Sequence, residues 1–325
     1  MMMISGASPT RDPRRMARLA LGWVALYSVL RIYWSLGNQP EDLGPVQDDL
    51  VIFTGWGSVA LCAAAMVFLT VLLTTRATGA ARRGLLLGAW TVCAALAAAA
   101  ALLLLDVIGG ILPGLGLEFS GMGAMSRAGC AGASALVGLT TLAYQRGTRA
   151  GCAECGGRER LGSVPAWAFW AAYLSMAGCL ARLGAQLSVG MDNMPYEYNA
   201  SMVVFDVGFV LAGTVLPLAL VHSYGRVWPR WVPRLAGRAV PRRLVLWPAA
   251  AISSGLVVYF GLMLVQMVYE RLNGRNPFPP EPGLDLPELF FWVAVPAYLL
   301  WGAGMAAAAL AYARRTRSEC GACGR

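Results

Sequence analysis

Charge is scarce in this sequence. Only 13% of its 325 residues are charged and 58% are hydrophobic, whereas a soluble domain carries about 25% charged residues. A chain so poor in charge cannot cover a water-facing surface. That excludes an ordinary soluble domain and leaves lipid as the solvent. Lysine is missing altogether, so all 26 basic residues are arginine; this absence carries no mechanistic weight of its own. There is a single histidine, His222. Haem and di-metal bundles need several inward-facing histidines or carboxylates, so neither is expected. The chain has no Gly-rich phosphate loop of the Walker type and no serine-nucleophile motif. No flavin or nucleotide is expected either, and the balance leans away from an enzyme. The alternation of apolar and polar residues that marks a membrane barrel is also missing.

What the sequence has in abundance is long apolar runs. Eight segments are long enough to span a bilayer: approximately 16–36, 50–74, 84–109, 122–145, 164–188, 201–223, 244–268 and 288–313. Backbone in lipid must satisfy its own hydrogen bonds, so these segments are expected to be helices. The first follows a basic tail and runs for about 21 residues, roughly 31 Å as a helix. It therefore reads as a retained transmembrane helix rather than a cleaved signal. The expected fold is all-α and polytopic.

The arginines give the orientation. The N-terminal tail, the loops near residues 76–83, 146–160 and 226–243, and the C-terminal tail together hold 21 of the 26. The opposite loops hold Arg271 and Arg275 and most of the acids, among them Glu41, Asp48, Asp192, Glu270 and Asp285. The positive-inside rule places both termini in the cytoplasm of a plasma-membrane protein. Topology accounts for the net charge of +9, so nucleic acid is not an expected partner. Tryptophans near the segment ends (Trp34, Trp167, Trp170, Trp228, Trp231 and Trp292) fit interfacial belts.

A repeat organises the chain. AYQRGTRAGCAECG at 143–156 returns as AYARRTRSECGACG at 311–324, at a constant offset of 168 and with 8 of 14 positions identical. Arg82-Arg83 opens the third segment and Arg242-Arg243 the seventh, Arg31 matches Arg182, and Phe53-Thr54 matches Phe205-Asp206. The organisation expected is a cytoplasmic tail (1–15), a first four-helix repeat (16–150), a linker (151–163) and a second four-helix repeat with its tail (164–325). Four helices per half keep both halves parallel, as in some transporters. A duplicated bundle without a pore fits equally well. The apolar segments show no broken midplane helix, a feature transporters commonly use.

Two short motifs carry a resemblance. Leu30-Arg31-Ile32-Tyr33-Trp34-Ser35-Leu36-Gly37-Asn38 resembles the Tyr-Trp-Ala-Leu-Gly-Gly signature of an uncharacterised family of small actinobacterial four-helix membrane proteins, differing at Ser35 and Asn38. Tyr224 to Pro233, YGRVWPRWVP, is similar to a Gly-Arg…Pro-Arg-Trp-x-Pro loop of such proteins. The resemblance covers those motifs only, and the second half lacks the Trp, reading Gln186-Leu187-Ser188-Val189-Gly190. It implies a membrane bundle, here in tandem, and no activity.

Three groups of residues could carry chemistry. Cys152-x-x-Cys155 and Cys320-x-x-Cys323, each followed by Gly, supply four thiolates, the ligand set of a closed structural zinc site. The same pairs also fit reduced thiols or a dithiol relay. The other cysteines, Cys62, Cys93, Cys130 and Cys179, fall in apolar segments and read as packing residues. The second group is Arg31, Arg127, Arg182, Asp106 and Asp206, with Gln266 at the position matching Asp106. All six are expected at similar depth near the outer face. Ionisable groups in a span are costly, paired or functional. They read either as internal ion pairs with snorkelling arginines or as a site for a small anion or lipid headgroup, which arginine grips bidentately. The third group is the arginine- and tryptophan-rich loop at 224–243, whose prolines interrupt any long helix. It is expected to lie on anionic inner-leaflet lipids; no protein partner is indicated. These readings favour a carrier or binding protein for a small anionic or lipid-like ligand. The alternatives are a membrane thiol–disulfide oxidoreductase and a zinc-stapled scaffold.

Overall fold

The computed structural model describes residues 13–40, 43, 53–115, 117, 119–148, 161–190, 199–230, 232–278 and 286–317. Among these residues the chain is helical, with one isolated antiparallel bridge between Val227 and Ala239. The helices are α1 (Pro13–Tyr33), α2 (Gly55–Thr74), α3 (Gly79–Ala99), α4 (Leu103–Ile111), α5 (Gly121–Gly147), α6 (Ala166–Val189), α7 (Ala200–Val210), α8 (Leu216–Val221), α9 (Arg242–Leu272) and α10 (Glu288–Arg315). A π-helical turn, Trp34–Asn38, ends α1, and a second, Leu211–Val215, joins α7 to α8.

Among the described residues, six helical stretches are long and apolar enough to cross a membrane: Arg15–Asn38, Gly55–Thr74, Gly79–Ile111, Ala200–Val221, Arg242–Leu272 and Glu288–Arg315. The two other expected spans, α5 and α6, are helices of 27 and 24 residues but are not among the six. Their sequences show why. Helix α5 carries Ser126, Arg127, Ser134, Thr140 and Thr141, all buried, and α6 carries buried Ser175 and Gln186. Helices that turn polar faces inward need less apolar surface than helices facing lipid. The outward-facing side chains are correspondingly apolar, with Leu26, Leu87, Trp170, Trp247 and Leu289 all exposed.

The chain forms two compact units. One contains α1, α2, α3 and α5, and the other contains α4 and α6 to α10. The stretch Gly79–Ile111 is therefore not one continuous helix. It breaks at Ala100–Leu102, and α4 groups with the second unit. The π-helical turn before α8 is a second irregularity within a span. Pro217, buried just beyond it, lacks the N–H that would continue the α-helical ladder. These two features correct the expectation of unbroken helices.

Each unit is closed by small residues. In the first, Trp23 lies over Gly132 and donates to the Gly129 carbonyl at 3.0 Å, and the Tyr27 ring lies over Gly129. In the second, glycines meet backbone instead of rings. Gly178 of α6 faces the backbone of α10, where an added Cβ would stand 2.5 Å from the Ala297 oxygen. Gly304 of α10 reciprocally faces α6, 2.5 Å from the Ala171 oxygen. This close backbone approach is the packing expected of small residues in lipid.

At the arginine-rich end of each unit the arginine and threonine bonds recur, while the matched tyrosine hydroxyls bond the backbone in opposite senses. In the first, the Tyr144 hydroxyl accepts from the Ala77 N–H at 2.8 Å, Arg82 donates to the Gln145 carbonyl at 3.4 Å, and Thr148 donates to the Tyr144 carbonyl at 2.8 Å. In the second, the Tyr312 hydroxyl donates to the Gly225 carbonyl at 2.9 Å, Arg242 donates to the Ala313 carbonyl at 3.0 Å, and Thr316 donates to the Tyr312 carbonyl at 2.7 Å. The loop after α8 is tied in turn. Trp228 N–H donates to Arg238 O at 2.9 Å and Val240 N–H to Arg226 O at 2.8 Å, with Arg234 and Gly237 at positive φ. It is a folded hairpin with Arg226, Arg230, Arg234 and Arg238 exposed.

Candidate functional site

Arg31 anchors the polar interior of the first unit. In the last turn of α1, its guanidinium donates from Nε to Ser58 Oγ at 3.0 Å, from Nη1 to Ser126 Oγ at 3.2 Å and from Nη2 to the Phe53 carbonyl. Its Cζ lies 4.6 Å from the centre of the Phe53 ring and 5.1 Å from that of Trp34, within cation–π range. The residue is 2% exposed. Ser126 also meets the Tyr27 hydroxyl at 3.0 Å, and that hydroxyl lies 3.0 Å from Cys130 Sγ. Arg31 thus holds α1, the start of α2 and α5 together through groups that would otherwise be unpaired in an apolar interior.

Trp34 corrects one expectation. It is 4% exposed and covers Arg31, so it does not belong to an interfacial belt. Gly37, at φ 102°, then ends the helix in a conformation that side chains resist. Within the Tyr-Trp-x-Leu-Gly motif, Trp34 therefore covers the arginine while Tyr33 and Leu36 face outward. An arginine flanked by aromatics within four residues was a legible signal of this.

The other candidates divide between the units. Arg127 is buried in the first unit, donates from Nη2 to the Leu43 carbonyl at 2.6 Å, and makes further contacts. Asp106 is 1% exposed on α4 and is not without a partner. Gln266 is exposed on α9. Asp206 on α7 is half-buried and makes no hydrogen bond or ion pair among the described residues. Arg182 is half-buried on α6, with its Cζ 5.1 Å from the Phe290 ring centre and 5.4 Å from that of Tyr298. Among the described residues it makes no hydrogen bond or ion pair. The two matched arginines therefore differ: Arg31 is sealed and Arg182 keeps its donors.

Cys152, Cys155, Cys320 and Cys323 lie outside the described residues. Among the described residues no cluster of three or more His, Cys, Asp or Glu could hold a metal ion. Cys62, Cys93, Cys130 and Cys179 are free, and all but the half-buried Cys93 are buried, as packing residues should be. Cys179 fits against Gly213, where a Cβ would collide with its sulfur. His222 sits among aromatics, 3.1 Å from the Tyr173 hydroxyl and stacked on Tyr224. Asn199, which opens a glycosylation sequon by pattern, caps α7 by accepting from Met202 N–H at 3.0 Å and donates to Gly114 O at 2.8 Å.

No family model matches this chain, nor does any curated protein or solved structure. Site geometry therefore carries the functional reading.

Proposed function

We propose that this is a plasma-membrane protein that binds a small anionic or lipid-like ligand at the outer end of its second unit. The observation that carries this reading is Arg182, a half-buried cation held between Phe290 and Tyr298 with no hydrogen bond or ion pair among the described residues. Two aromatic faces fix the guanidinium plane and leave its edge to grip an oxyanion, while the rings offer surface to an alkyl chain. Arg31, matched to it in the first unit, has all three nitrogens engaged and offers no such edge. In this reading the chain spans the membrane eight times as two parallel repeats, with both termini cytoplasmic and the arginine hairpin on anionic inner-leaflet lipids. The test is calorimetric titration of the purified protein with octanoate. Arg182→Gln should lower affinity at least tenfold; equal affinity in wild type and variant would remove the basis for the reading.

The recurring Tyr144 and Tyr312 bonds support a second reading, the zinc staple. Both tyrosines are tied to the backbone, Thr148 and Thr316 donate to their carbonyls in the same way in each unit, and each Thr stands four residues before a Cys pair. Four thiolates from the two tails would bind one structural zinc. Metal analysis should then give about one zinc per chain, and Cys320→Ser should reduce it. Metal-free protein of undiminished thermal stability would rule the staple out and leave the thiols to redox chemistry or to none.

A further inference from the structure

A cleft of about 250 Å³ opens between α1, α2 and α5 at the arginine-rich end of the first unit, the end opposite Arg31. Buried Ala17 and Leu72 line it, as do the exposed Arg76 and the half-buried Tyr144 and Thr148. No Asp or Glu does. Thr140 stands in its wall, 4% exposed, and among the described residues its hydroxyl has no hydrogen-bond partner. Its neighbour Thr141 bonds the Val137 carbonyl at 2.8 Å in the usual helical way. A buried hydroxyl left unpaired is destabilising, so its presence calls for a partner that the described residues do not provide.

The second unit contains the corresponding place, filled by its own side chain. In the register set by the two tyrosine bonds, Leu72 corresponds to Leu220, Ala143 to Ala311 and Tyr144 to Tyr312. Leu220, Ala311 and Tyr312 line a gap there with Arg315, and it leaves no volume for a water molecule. Arg315 occupies the position of Gly147. Its side chain is 7% exposed, with Nη1 3.4 Å from the Val221 carbonyl and Cζ 5.9 Å from the Tyr312 ring centre. One unit therefore closes the slot with a slender chain bearing a polar tip. The other, with glycine, leaves it open.

We propose that the cleft beside Gly147 is a binding site for a phosphate ester carrying an apolar chain. Arg76 supplies the cation, and the hydroxyl of Thr140 supplies a further donor; Thr148, whose own proton goes to the Tyr144 carbonyl, only lines the wall. Ala17 and Leu72 take the first methylenes. The volume lies below the roughly 300–1,000 Å³ of drug-sized pockets and suits a headgroup. Two sources offer this chemistry, a membrane phospholipid and a soluble phosphate ester. The site is separate from Arg182 and does not depend on that reading.

The test is native mass spectrometry of the full-length protein released from nanodiscs of phosphatidylglycerol and phosphatidylcholine, with glycerol 3-phosphate as the soluble probe. Wild type should retain phosphatidylglycerol selectively. Gly147→Arg should lose one bound lipid, and an added Cβ at Gly147 meets nothing within 4 Å, so this variant should fold. Arg315→Gly should gain one. Thr140→Val should weaken retention several-fold without lowering thermal stability, since among the described residues its hydroxyl has no partner to lose. Arg182→Gln should leave the lipid lost in Gly147→Arg unaffected. Binding of glycerol 3-phosphate that disappears in Gly147→Arg, with lipid retention unchanged, would support the site and assign it to a soluble ester. Equal retention of both probes by wild type, Gly147→Arg and Arg76→Gln would overturn the proposal.

Discussion

Replacing Gly178 by leucine should destabilise the protein by about 3 kcal/mol or more, the upper range for overpacking a tight interface. A Cβ at this position would stand 2.5 Å from the Ala297 oxygen and 2.7 Å from the Trp301 nitrogen. Those atoms are backbone of α10, so no rotamer change relieves the clash and the helices must separate. Separation would also break the 2.9 Å bond from Ser175 Oγ to the Trp301 carbonyl and loosen the reciprocal contact at Gly304. Gly184→Leu on the same helix is the control, because a Cβ there meets nothing within 4 Å. Thermal unfolding in detergent should show a large loss for Gly178→Leu and little for Gly184→Leu. Similar losses in both would mean that α6 and α10 do not touch at Gly178.

Arg31→Lys should cost about 3 kcal/mol although it keeps the charge. Hydrogen bonds to charged groups contribute about 1.5–3 kcal/mol each, and an ammonium cannot reach Ser58, Ser126 and the Phe53 carbonyl from one plane while stacked on two rings. The variant leaves at least one of those acceptors unpaired in a buried site. Arg182→Lys should change stability much less, since Arg182 makes no hydrogen bond among the described residues. Chemical denaturation of the two variants side by side reads the difference. Equal stability of Arg31→Lys and wild type would show that the guanidinium is not the tie between α1, α2 and α5.

Much of this arrangement was legible in the residues. Charge scarcity and the lengths of the apolar runs pointed to a helical membrane protein, and every expected segment contains helix. Arg31 and Arg182 stood out because an ionised group in an apolar run must be explained. The length of an apolar run does not by itself distinguish a lipid-facing helix from one that turns polar groups inward. Helices α5 and α6 were therefore expected as spans on the same footing as the rest, although their buried Ser, Thr and Gln set them apart. The break at Ala100–Leu102 has neither proline nor glycine to announce it. Pro217 stands just beyond the π-helical turn, although 201–223 was expected as one unbroken segment.

The candidate site shows the same division. Sequence alone determined the all-helical class, the concentration of arginine in alternate loops and the matched ends of the two halves, because these depend on composition and spacing along one chain. Only the tertiary structure decided that Arg31 is sealed under Trp34 while Arg182 keeps its donors. It alone showed that Arg315 fills the slot which Gly147 leaves open. A guanidinium acts according to the atoms that surround it, and those atoms come from helices distant in sequence, set by how closely backbones approach at residues such as Gly129, Gly178 and Gly304.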